Sequence, residues 1–178
     1  DEYADQFAAE SHGDIVVWPL KVVADYLKKT GNEKILDSCL PFFSLQKKQL
    51  LTSKVPLTDH LERQLDYLQE NFLFDTSVSS YGDGDWDDTL QPADPQQKKT
   101  MASTWTMELT IEALNTLTEV LQDHQQLKQR AAMMVTAMKR DFKKYFMQDP
   151  VLPGFIQMNQ KHEIKFMIHP SDRTTGIK

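Results

Sequence analysis

Apolar residues recur at three- and four-residue spacing along most of this chain, the period of helices that bury one face. Leu20, Val23, Ala24 and Leu27 share such a face, while Lys21, Asp25, Lys28 and Lys29 point elsewhere. Pro19 suits a first helical turn and Gly31 a C-terminal stop. A short helical turn is predicted over 32–37, ending before Pro41. The second long helix starts near Thr58, a good N-cap with Asp59 behind it, and buries Leu61, Leu65, Leu68 and Phe72. A third, about 103–122, turns Met107, Ile111, Leu114, Leu117 and Leu121 inward. A fourth, about 125–147, does the same with Leu127, Ala131, Met134, Met138, Phe142 and Tyr145. The methionines read as adaptable core filler. Strand signals are confined to one short extended piece over 163–169, before Pro170. The expected class is therefore all-α, with antiparallel helices joined by loops.

One segment breaks the pattern. Residues 73–100 show neither helical nor strand periodicity, and loops of that length inside a domain are usually functional or disordered. Tyr81, Trp86 and Leu90 argue against disorder. Asp83, Asp85, Asp87 and Asp88 place four carboxylates within six residues, around Trp86 and beside Gly82 and Gly84. Like charges this close repel, so at least one carboxyl should hold its proton more tightly than a free aspartic acid. That prepares a general acid. A tryptophan among carboxylates also suits a sugar, whose ring stacks on the indole while the acids take its hydroxyls. Two plainer readings stay open. Asp83, Asp85 and Asp87 have the 1-3-5 spacing of a calcium loop with Asp94 at position 12, but Asp88 stands where such loops need glycine. A merely solvated acidic loop would leave Trp86 unexplained.

Charge and cysteine content narrow the partners. The formal net charge of −6, with no basic stripe, disfavours nucleic acid. No apolar run is long enough to span a bilayer, and no membrane partner is expected. The single cysteine, Cys39, lies in an apolar context and is expected to be buried. With no secretory signal visible, a reducing, cytoplasmic location is expected. The chain begins at Asp1 and stops after Thr175-Gly176-Ile177-Lys178 without a finished element, so a piece of a longer polypeptide is expected.

Gly84-Asp85-Trp86-Asp87-Asp88 resembles the Gly-Asp-Trp-Asn-Asp motif of glycoside hydrolase family 94, the cellobiose phosphorylase and β-glucan phosphorylase family. The segments 14–20, 26–32 and 35–37, and the helix from Leu57 to Tyr67, resemble the family's helices around that motif. The resemblance covers about residues 10–158 and implies that 1–178 is part of a single (α/α)6-barrel catalytic domain. It implies Asp88 as general acid, Trp86 lining the sugar subsite, and Asp85 and Asp87 in substrate binding or loop geometry. The implied reaction is inverting phosphorolysis of a β-linked gluco-oligosaccharide, β-1,2-linked or cellobiose-like, to α-glucose 1-phosphate. Inorganic phosphate is then the co-substrate, with no other cofactor and no metal. Two positions depart from the family pattern: Asp87 replaces the usual Asn, and Thr89-Leu90 replaces Gly-Met.

Outside the loop, His169 and Arg173 are candidate phosphate or sugar contacts, Arg through its bidentate fork, or else caps on the end of an extended segment. His12, near Asp14, either faces the site or is structural, whereas His60, His124 and His162 lack metal-ligand partners at useful spacing. The expected partners are oligosaccharide, phosphate and the remainder of the barrel, with a homodimer open. The isolated fragment is expected to be inactive. Two other classes remain: a helical carbohydrate-binding module without turnover, and an inverting hydrolase on the same barrel.

Overall fold

The computed structural model describes residues 12–86 and 96–173. Four long helices dominate: α1 (Val17–Thr30), α2 (Leu57–Glu70), α3 (Thr104–Val120) and α4 (Gln125–Tyr145). Their buried faces follow the sequence pattern. α1 turns in Val17, Leu20, Ala24 and Leu27, and Gly31 ends it in the left-handed conformation, its N–H bonded to the Leu27 carbonyl. α2 buries Leu61, Leu65 and Leu68, and α4 buries Leu127, Ala131, Met134 and Met138. Ser103 caps α3 by accepting from the Thr106 N–H.

The expectation of an all-α (α/α)6-barrel part is overturned. Among the described residues, five strands form two antiparallel sheets, so the fold mixes α and β. β1 (Cys39–Ser44) and β2 (Gln49–Pro56) make a hairpin ribbon, and β3 (Met101–Ser103), β4 (Phe155–Met158) and β5 (Ile164–Met167) a sheet in that order. The ribbon is largely solvated, so alternation in β2 carries little hydrophobic contrast, and Pro41 masks β1. A two-stranded ribbon has free edges, where a proline removes no ladder bond. β3, only three residues long, is buried on both faces and shows no period at all. Cys39 corrects a second expectation: it lies at the start of the ribbon and is exposed.

The sheet separates two cores. Ala102 and Ile156 face the main core of helices, with Phe166 packed against it. Met101 and Phe155 face the opposite way, onto a smaller cluster with Tyr81, Met167 and Ile168. This second face positions the loop that follows Tyr81.

Helix directions give the molecule two ends. Lys21 on α1 meets Glu112 on α3 at 3.3 Å, and Glu33, just past α1, reaches Gln122 and Asp123, just past α3. α1 and α3 thus run parallel and start at the same end. α2 starts beside Ser38 and ends where the Asn71 carbonyl receives the Ser80 N–H; α4 likewise runs back, from His124 toward Ser77. Arg130 ties α4 to α2 through Glu62, Asp66 and Gln69.

Each end carries a carboxylate clasp. At the far end Glu33 accepts from the Gln122 N–H (2.5 Å) and the Asp123 N–H (3.0 Å) and lies 3.1 Å from His124 Nδ1. Burial pushes the Glu33 carboxyl up, but the His124 contact and the backbone donors outweigh it and hold the pKa below its ordinary value. At the near end Asp141 accepts from the Ser77 N–H at 2.7 Å and is forked by Arg140. There too burial acts upward, and Arg140 and Ser77 bring the carboxyl below its usual range.

A depressed carboxyl contributes stability that is present above its unfolded pKa and lost as pH falls through the folded one. Glu33→Gln should therefore cost about 1.5–3 kcal/mol above roughly pH 5, the scale for hydrogen bonds to a charged group. The gap to wild type should close on further acidification. Urea unfolding of both proteins from pH 7 to pH 3 checks this, and a gap that widens in acid would contradict it.

Candidate active site

The near end is where the singular residues of the sequence collect. After α2 the chain turns through a Phe72–Ser79 bridge, and the Tyr81 N–H donates to the Met101 carbonyl at 2.8 Å, seating Tyr81 on β3. Gly82, at φ 64°, then pairs with His12, and the Gly13 N–H donates to the Gly84 carbonyl at 2.8 Å. Gly13 is required there by close approach: a Cβ on it would lie 2.7 Å from the Tyr81 carbonyl oxygen. The approach to α1 and the start of the acidic loop are thus laced backbone to backbone.

Asp85 goes inward. It is 1% exposed, and Ser103 Oγ donates to its Oδ2 at 2.6 Å. Trp86 goes outward, 64% exposed, its ring centroid 5.9 Å from that of Trp105 with the planes 59° apart. Trp105 sits in the first turn of α3, and Trp18 holds the matching place in α1, where its Nε1 donates to the buried Asp14 Oδ2 at 3.1 Å. At the loop's shoulder, Lys98 lies 3.4 Å from Asp83. Exposed indoles can stack on the apolar faces of a sugar ring while neighbouring carboxylates accept from its hydroxyls.

Of the residues singled out from sequence, Asp85 and Trp86 belong to this end, with Asp85 buried behind the loop. Asp87 and Asp88 lie outside the described residues, as do Thr89, Leu90 and Asp94. His12 joins the site through its backbone bridge to Gly82. His169 is 3% exposed and has both ring nitrogens engaged. The Ser171 N–H donates to its Nδ1 at 3.1 Å, which leaves Nε2 as the protonated nitrogen, donating to the Val151 carbonyl at 3.0 Å. It stitches the end of β5 to the loop entering β4. Arg173 is exposed at the end of that turn. Among the described residues, no group of three His, Cys, Asp or Glu side chains could hold a metal ion. No helix there is long and apolar enough to cross a membrane.

Sequence reasoning missed Asp14, Trp18, Ser103 and Trp105 as parts of the site. A signal existed for the tryptophans: each is a large apolar residue off the buried stripe of its helix. Nothing local indicated that the two helices start at the same end.

No family model matches the chain. Over its whole length it is 38% identical to a 1,2-β-oligoglucan phosphorylase of Listeria innocua serovar 6a, and it spans 16% of that protein's length. Along its entire length, the chain is thus similar to one stretch of a phosphorylase.

Proposed function

We propose that this chain is the general-acid segment of an inverting phosphorylase acting on β-linked gluco-oligosaccharides, and that Asp88 is the acid. The observation that carries this is the fixed approach to the motif. Asp85 is locked inside by Ser103 while Trp86 faces solvent, and the sequence continues directly into Asp87 and Asp88. The identity to a 1,2-β-oligoglucan phosphorylase supports the same reading, and supports a β-1,2-linked oligoglucan as substrate.

An inverting hydrolase needs a second carboxylate to activate water. Phosphorolysis does not, because phosphate is already an anionic nucleophile. The Asp88 carboxyl gives its proton to the glycosidic oxygen as the C1–O bond breaks. A phosphate oxygen forms the new bond to C1 from the opposite face, giving α-glucose 1-phosphate and a shortened glucan. Phosphate-binding groups, the rest of the catalytic domain and any second copy of the chain belong to the longer polypeptide of this proposal. Residues 1–178 by themselves would then lack turnover.

The test is glucose 1-phosphate formation by the full-length protein from a panel of β-linked glucobioses and longer glucans, with and without phosphate. Product that requires phosphate supports the reading. Free glucose without phosphate would establish a hydrolase, and binding without either product a carbohydrate-binding module. Trp86→Ala should raise KM roughly tenfold, about 1.4 kcal/mol of lost sugar binding, and leave folding stability within about 1 kcal/mol. A stability loss of 3 kcal/mol or more, the scale for truncating a buried aromatic, would make Trp86 a core residue instead.

A further inference from the structure

We infer that Ser103 is a positioning residue for this site, setting the register of the motif loop through Asp85. The inference rests on the proposal that Gly84–Asp88 carries the reaction, and it adds a residue outside that motif.

Ser103 is more than a helix cap. Its hydroxyl has one proton and two lone pairs. A lone pair receives the Thr106 N–H at 3.4 Å, which is the cap, and the proton goes to Asp85 Oδ2 at 2.6 Å. Both residues are 1% exposed, so water does not compete for either group. A hydrogen bond to a carboxylate in such surroundings is among the stronger kinds and tightly sets separation.

The donor itself cannot drift. The next residue, Thr104, gives its hydroxyl to the Pro153 carbonyl at 2.5 Å and its N–H to the Gly154 carbonyl at 3.0 Å. Ser103 also pairs across the ladder with Phe155. The joint between β3 and α3 is thus pinned to β4 on one side and reaches the motif on the other. In the sequence Asp85 lies three residues before Asp88, the acid of the proposed reaction, so the Ser103–Asp85 bond holds the last described turn ahead of it. Reaction rates fall steeply with misplacement: about 1 Å can cost a hundredfold.

A simple cap would behave differently. Glycine is nearly as good a cap as serine, and threonine keeps the hydroxyl. In the full-length protein, Ser103→Gly and Ser103→Ala should lower kcat roughly ten- to a hundredfold with KM within about twofold, and Ser103→Thr should stay within about threefold of wild type. Hydrogen exchange read on the same proteins should show the amides of Gly82–Trp86 exchanging at least tenfold faster in the glycine and alanine variants. Amides in the middle of α3, around Leu114, should be unchanged. Folded Gly and Ala variants with wild-type kcat and unchanged exchange at Gly82–Trp86 would overturn the inference. So would equal kcat loss in the threonine variant. Asp88→Asn separates the two levels: if it keeps normal turnover, the motif reading fails, and the exchange data alone decide whether Ser103 holds the loop.

Discussion

Replacing Asp88 by asparagine in the full-length protein should lower turnover at least about a hundredfold, the usual scale for removing a general acid. Asparagine keeps the size and polarity of the side chain but has no transferable proton, so the leaving sugar oxygen would have to depart as an alkoxide. Sugar affinity should survive, because stacking on exposed indole does not use the acid. Glucose 1-phosphate production and sugar binding, measured on the same variant, check the two halves separately. Near-normal turnover would remove Asp88 from the role and turn attention to Asp87, since Asp85 is buried against Ser103.

Tyr81→Ala should be the most destabilising single truncation near the site, by about 3–5 kcal/mol, against a typical total of 5–15. Tyr81 is fully buried, meets Phe155 edge-on at 5.2 Å and 89°, and is the largest side chain of the small core behind the sheet. Few other residues fill that core, so collapse around the cavity is limited. The same residue begins the stretch laced to Gly13, so activity should fall with stability. A loss of unfolding free energy smaller than about 1 kcal/mol, measured by urea denaturation, would show that the second core is not needed to hold the loop.

Much of the helical part was legible because local chemistry and burial agree there. Pro19 lies in the first turn of α1 and Gly31 ends it, whereas Thr58, read as an N-cap, lies inside α2, which begins at Leu57 after Pro56. β5 also falls inside the extended piece read over 163–169. The sheets were not legible for physical reasons. Three- and four-residue strands are too short to display a period, and a solvated ribbon shows little contrast between its faces. The stretch His169-Pro170-Ser171-Asp172-Arg173, from which sequence offers phosphate or sugar contacts or caps, is a turn that folds on itself. Asp172 Oδ2 receives the Ile168 N–H, and its own N–H reaches the His169 carbonyl. Polar side chains that satisfy one another locally can be buried, and composition does not reveal it. At this end Asp85 and Trp86 drew attention because they are adjacent in sequence. Ser103 did not, because it joins Asp85 only across the fold.

The grouping of the indoles has a spectroscopic consequence. The chain contains three tryptophans, and Trp18, Trp86 and Trp105 all stand at the end where α1 and α3 begin. All three are partly or largely open to solvent, so their emission should respond to anything that covers or dries them. The opposite end, with Glu33 and His124, has no such fluorophore. Intrinsic fluorescence of this segment is therefore an occupancy gauge for one end of the molecule and nearly blind to the other. Acid loosening at the Glu33 clasp would appear in helical circular dichroism before it appeared in emission, whereas a docked sugar would do the reverse.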